Sequence, residues 1–271
     1  MTRTMLELYH HGSSVCAAKV RFALGEKGVE WKGHYLDILK GDQFDPEYLK
    51  INPKAVVPTL VHDGNVIVES TVIAEYVDEV FDGPPLKPSS ALGRARMRQW
   101  TKAVDEDVHP ACGEITFVSC HRHIVNRLPP AEVQKFLDST PPQSVTPTWH
   151  ERKKVLVREG MAAPGVAAKF KLYDRYLQKM EDALAASEWL AGDAFSLADV
   201  GMAPYVNRLD MMGMSEMWTR SRPRLAGWFE RVKARATFKP AFLDWCPPDL
   251  TSDLESFGRE TWPEVNKILA A

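Results

Sequence analysis

The sequence lacks an excess of charge of either sign: 34 Lys and Arg stand against 36 Asp and Glu, a formal charge of −2 over 271 residues. Gripping a phosphate backbone requires clustered basic residues, so nucleic acid is not an expected partner. Long apolar runs are missing as well. The stretch around Val56–Val61 is short and holds Pro58, against the ~20 residues a bilayer span needs, so no membrane association is expected. The start, MTRTMLELYHH, reaches an acid at Glu7 and contains no apolar export core. Closely spaced cysteines are absent too: Cys16, Cys112, Cys120 and Cys246 form no framework. Free thiols fit a reducing compartment, and a cytoplasmic location is expected. No internal repeat occurs.

What is present is a globular composition, 45% apolar, long enough for two domains. Through residue 82 the periodicity switches between two and three-to-four. Met5–Tyr9 reads as a strand. Ser13 and Ser14 occupy an N-cap position before a helix carrying Val20, Ala23 and Leu24 and closed by Gly28. Val29–Leu36 reads as a second strand. Gly41–Ile51 is a polar excursion with one helical turn, and Val56–His62, the Asp63-Gly64 turn and Asn65–Glu69 form a hairpin pattern. Thr71–Phe81 completes the order β-α-β-α-β-β-α, that of a small α/β domain.

Prolines and Gly83 mark a linker over 83–92, beyond which strand signals fade. An all-helical domain is expected over 93–271. Arg94 to about Ile124 is a long helical stretch, and 128–165 is a Pro-rich insertion of short helices and loops, expected to be partly ordered. Phe170, Tyr173, Leu177, Met180 and Leu184 make one apolar helical face. Ser196-Leu-Ala-Asp199 is a capping box opening a buried helix through Val206. Arg224–Ala234 supplies a further helix, and the tail carries Phe257 and Trp262 to pack back on the body.

Three blocks carry chemistry. Ser14 and its neighbour Ser13 sit at a helix mouth, where a hydroxyl, free N–H groups and the helix dipole can hold an anion. For a thiolate this lowers the thiol's pKa. An ordinary N-cap is the plainer use of Ser14. Cys16 is either a depressed-pKa thiol or a small buried hydrophobe. Pro58, entering an apolar run, signals a cis peptide that frees Val57 to pair with an extended peptide, or simply an edge-strand proline. Glu69 can bind an amine while Ser70 caps a helix whose N–H groups can hold a carboxylate. Together the three describe a glutathione site.

These residues resemble the glutathione transferase superfamily: the run from Ser13 through Gly28, Asn52 to Leu60, Glu69 to Ile73, and the Ser-Leu-Ala-Asp box at 196, in matching order. The resemblance implies a thioredoxin-like N-terminal domain plus an all-α C-terminal domain, with glutathione as co-substrate. It also implies that Ser14 activates the sulfur, Val57 and cis-Pro58 bind the cysteinyl backbone, and Glu69 and Ser70 the γ-glutamyl end. Gln43 falls at the glycyl end, with Lys54 as a helper. Omega-type members carry a catalytic cysteine where this chain has Ser14, so it looks like the serine type. The long insertion, the extended tail, Glu-Ser-Thr-Val-Ile and the Trp100–Glu106 helix resemble the bacterial β-etherases of lignin breakdown.

An acceptor must approach the sulfur from the helical domain. Trp100, Asp105, His109, Cys112 and Phe117 are candidates to line its pocket, with core packing as the alternative. Asp105 could instead reach a glutathione amine across a dimer interface. His109, Cys112, Cys120, His121 and His123 lack metal-ligand spacing, and no metal is expected. The expected reaction is attack of glutathione thiolate on a small aromatic or hydrophobic electrophile by a homodimer, through β-aryl ether cleavage or a related substitution. A non-catalytic binding or assembly module and a Cys16-based thiol-exchange enzyme are the competing readings.

Overall fold

The computed structural model describes residues 5–138 and 147–271. Its N-terminal part is a four-stranded mixed sheet in the order β2-β1-β3-β4. Strand β1 (Leu6–His10) pairs in parallel with β2 (Lys32–Tyr35) and antiparallel with β3 (Thr59–His62), which turns at Asp63-Gly64 into β4 (Asn65–Val68). Helix α1 (Val15–Glu26) follows β1, α2 (Pro46–Ile51) lies between β2 and β3, and α3 (Ser70–Val80) closes the unit. The expected order is therefore the one observed. Strand β3 begins at Thr59 rather than Val56, because Val57–Pro58 is a cis peptide and the chain bends before it can pair.

The rest is helical. From residue 91 to 125 a continuous helical run comprises α4 (Ala91–Ala103), α5 (His109–Thr116) and α6 (Arg122–Val125), joined by π-helical segments at Val104–Val108 and Phe117–His121. The first has a readable cause. Pro110 has no N–H to return to Glu106, and the ladder widens so that His109 N–H bonds Val104 O five residues back. Each bulge rotates the residues that follow it about the helix axis.

Within the expected insertion lie α7 (Pro130–Asp138) and α8 (Pro147–Glu159), while 139–146 fall outside the described residues. Helix α9 (Val166–Ala183) buries Phe170, Tyr173, Leu177 and Met180 as its periodicity requires. Helix α10 (Leu197–Met211) opens on the Ser196–Asp199 capping box and runs past Val206, with Pro204 inside it. Short helices α11 (Glu216–Thr219), α12 (Pro223–Lys233) and α13 (Phe238–Phe242) lead to α14 (Pro248–Ala270). In this tail helix Phe257 stacks on His123 at 4.7 Å between ring centres. No described helix is long and apolar enough to cross a membrane.

One hydrophobic core runs through both parts, and α1 lies where they meet, packed by α3, α10 and α13. Every residue from Ala17 to Leu24 is buried, Lys19 and Arg21 included. Such all-round burial fixes the direction in which α1 points its N-terminus, which positions the site.

Candidate active site

Ser14 is the N-cap of α1, and its Oγ accepts from Ala17 N–H at 3.1 Å. The plain capping role is thus observed. It leaves the hydroxyl hydrogen free to donate to an anion at the helix mouth. Guanidinium groups hold the carbonyls of the preceding loop: Arg21 donates to His11 O at 3.1 Å and Gly12 O at 3.2 Å, and Arg208 donates to Ser13 O. Gly12 allows the loop to lie against residue 245, since a Cβ there would meet Trp245 O at 1.8 Å.

The neighbouring elements bring the other expected glutathione contacts to the same end of the sheet. Val57 precedes the first paired residue of β3, so its peptide groups lie outside the ladder. The loop is braced from behind, where Asn52 Nδ2 donates to Val56 O at 3.0 Å and Tyr48 OH donates to the same carbonyl. Glu69 adopts a positive φ of 69° and pairs with Lys54 at 2.5 Å. Gln43 donates to Ile38 O at 3.3 Å, with its Oε1 buried and unpartnered.

Ser70 departs from expectation. The N-cap of α3 is Glu69 and no side chain caps it; Ser70 Oγ instead accepts from the buried Lys19 Nζ at 3.0 Å. Lys19 is the reason. Surrounded by apolar residues of α1, its ammonium takes the polar oxygen within reach and lies 3.9 Å from Asp105.

Cys16 stands in the first turn of α1, half-buried, with Sγ 3.4 Å from His109 Nδ1 and 3.8 Å from the Tyr205 hydroxyl. Burial alone would push this thiol up, but the His109 charge and hydrogen bond, then Lys19 and Ser70, bring it down to about 6. The Cys16 charge in turn raises His109 against the opposing effect of its burial. The geometry is that of a thiolate–imidazolium pair across the domain boundary. His109 therefore faces Cys16.

The other acceptor candidates are placed differently. Trp100, half-buried, donates its indole N–H to Leu190 O at 3.1 Å, in the segment between α9 and α10. Cys112 and Phe117 are buried in the core, Cys112 beside Thr116 and Phe117 against Trp149. Asp105 accepts from the Thr71 hydroxyl at 2.6 Å, which ties α4's end to α3. Lys19, Tyr205 and Arg208 escaped the sequence reading. The signal for Lys19 and Arg208 was a cation in the middle of an apolar helical run.

The glutathione S-transferase N-terminal domain family matches residues 8–85 and its C-terminal domain family residues 163–231. Protein LigF of Sphingobium sp. is 30% identical over 242 residues, covering 88% of this chain and 93% of LigF. The chain belongs to the glutathione transferase family. The crystal structure of the β-etherase LigF superposes with a TM-score of 0.78 at 29% identity, covering 88% of this chain and 98% of LigF. Tetrachloro-p-hydroquinone reductive dehalogenase of Sphingobium chlorophenolicum is 27% identical over 87% of this chain and 95% of its own. Maleylacetoacetate isomerase of Methylobacterium extorquens, solved with malonate and glutathione, superposes at TM-score 0.66 and 26% identity, over 89% of this chain and 98% of that one. As a glutathione transferase, the chain has the family's fold: a mixed sheet with its helices, followed by a helical domain.

Proposed function

We propose that this glutathione transferase bonds the sulfur of glutathione to an aromatic or hydrophobic electrophile, with cleavage of a β-aryl ether as its leading reaction. The observation that most supports the ether is the likeness to LigF, which extends over 88% of the chain. Glutathione lies with its cysteinyl backbone along Val57 and cis-Pro58, its γ-glutamyl end at Glu69 and the first turn of α3, and its glycyl end toward Gln43 and Lys54. The thiol loses its proton to solvent, and the Ser14 hydroxyl donates to the resulting thiolate. The sulfur forms a C–S bond at the carbon that carries the aryloxide, the C–O bond breaks, and the phenolate takes a proton from solvent. Charge moves from sulfur to oxygen, so a donor fixed at the sulfur and a good leaving group suffice. The protein acts in the cytoplasm, in keeping with its four free cysteines.

Mass spectrometry of products from glutathione and each enantiomer of a model β-aryl ether, beside an activated aryl halide, tests this reading. A glutathione thioether with equimolar phenol is the expected result. Retention on immobilised glutathione with no thioether from any acceptor would instead mark a binding module.

The Cys16–His109 pair favours a second reading, thiol exchange. A Cys16 thiolate attacks a glutathione mixed disulfide, takes the glutathionyl sulfur and releases the other thiolate. A second glutathione then restores Cys16 and leaves as the disulfide. Cys16→Ser abolishes this exchange and spares ether cleavage if Ser14 carries the latter.

We also read the enzyme as a homodimer joined along α3 and α4. A groove of about 620 Å³ lies between them, with Glu75, Glu79 and Glu106 set among Arg98 and Lys102, and Val72 is 55% exposed beside it. Mixed charges around an exposed apolar residue suit a self-complementary contact.

A further inference from the structure

Three arginines in the described structure are buried, and they differ in what answers their charge. Arg222 pairs with Asp174 at 2.8 Å. Arg21 is surrounded by acceptors: Ala241 O at 2.8 Å, the carbonyls of His11 and Gly12, and the His10 ring at 3.3 Å. Arg208, only 4% exposed, has a single protein acceptor, the carbonyl of Ser13, and its Nε–H is buried without a partner. No carboxylate lies within ion-pairing distance of it among the described residues. The titratable groups facing it offer no negative charge either. Burial and the nearby Arg208 hold His121 down at about 3 and also lower His11, so both rings stay neutral. Burial pushes the Cys112 and Cys120 thiols up, so both keep their protons. An unanswered buried cation is costly, and a fold that retains one is poised for an anion.

The place of that cation decides which anion. The Ser13 carbonyl belongs to the peptide that leads into Ser14. Arg208 and Asn207 share with Ser13, Ser14, Val15 and Met211 the lining of a cavity of about 10 Å³, room for one water at most. An acceptor substrate does not fit there, but a charge at the Ser14 hydroxyl would feel Arg208 through an interior of low dielectric. We propose that Arg208 is a positioning residue for the reaction: it fixes the Ser13–Ser14 loop through the Ser13 carbonyl and supplies the buried positive charge that the glutathione thiolate answers. This inference rests on the glutathione reading above.

The test separates charge from structure. Arg208→Gln keeps a donor for the Ser13 carbonyl and removes the charge, while Arg208→Lys keeps the charge. Asn207→Asp adds a carboxylate to the same cavity wall and leaves Arg208 in place. With Cys16→Ser in every chain to silence the competing thiol, the bound glutathione thiol is titrated by its thiolate absorbance. Arg208→Gln and Asn207→Asp are expected to raise its pKa by about one unit, tenfold less thiolate at a given pH, and Arg208→Lys by less than half as much. Glutathione affinity at a pH below the thiol's titration stays within about threefold throughout. If Arg208→Gln does not fold, Asn207→Asp alone decides. An unchanged titration in the charge-altering chains, or equal shifts in Arg208→Gln and Arg208→Lys, overturns the proposal while leaving the glutathione reading intact. Failure of the unaltered chain to bind glutathione sinks both.

Discussion

The side of the cleft that carries the residues proposed to hold glutathione and the side that faces the helical domain are built in different ways. The first side is local. Ser14, Val57, Pro58, Glu69 and Ser70 lie within one small α/β unit, at strand ends and helix starts where the backbone itself supplies donors. The opposite side is assembled from afar: His109 reaches Cys16 across 93 positions, Tyr205 across 189, and Arg208 reaches Ser13 across 195. The first side is fixed by turn and cap chemistry. The second depends on how α1 is clamped between α3, α10 and α13, and it places the Cys16 thiol two residues beyond Ser14. On the proposed reading one helix end serves two sulfurs, the Ser14 hydroxyl for a bound thiol and the His109 ring for the chain's own.

This contrast can be broken by experiment, and the largest effect is expected where the two sides touch. Gly12→Ala would drive a Cβ into Trp245 O, so the 12–14 loop must move. Misplacement of that kind costs about a hundredfold in turnover, measured as thioether formation at saturating glutathione. Next comes Ser14→Ala, which removes one donor to the sulfur. Turnover is expected to fall about tenfold or more with retention on immobilised glutathione preserved. A fully active Ser14→Ala beside an inactive Ser13→Ala or Cys16→Ala would move the chemistry to another residue of the loop.

A smaller effect is expected on the far side. The Cys16 thiolate is present above pH about 6 and is lost below it, because its folded pKa lies under the ordinary thiol value. Iodoacetamide alkylation of the unaltered chain should therefore reach half its plateau near that pH. In His109→Ala the midpoint moves up, and alkylation at pH 7 slows about three- to tenfold. Glutathione-dependent ether cleavage should barely change, and a parallel loss would mean that the two sulfurs share one site. The smallest effect on activity is expected from Val72→Glu. It should shift the light-scattering mass toward the monomer, with turnover within about twofold.

The sequence was legible wherever structure follows from short-range rules. The succession of strands and helices along the first domain, the cis bond before Pro58, the α1 cap and the Ser196–Asp199 box could all be read because each needs only a few neighbouring residues. Asp199 illustrates the limit. Its box was visible, but its bonds to Leu190 N–H at 3.0 Å and Trp228 Nε1–H at 2.8 Å were not, since these link three separate elements. His109 was picked out as a pocket residue, and its contact with Cys16, 93 positions away, was not foreseen. Ser70 was read as a cap, and a buried lysine took its hydroxyl. In each case the deciding contact comes from a residue far along the chain, which periodicity does not encode.

The claim that the mouth of α1 ionises a bound thiol is tested most directly by ultraviolet titration of the glutathione complex in a Cys16→Ser chain. The account requires thiolate absorbance to be present at neutral pH and to diminish in Ser14→Ala. A bound thiol that titrates as free glutathione does in water, with or without Ser14, would contradict it.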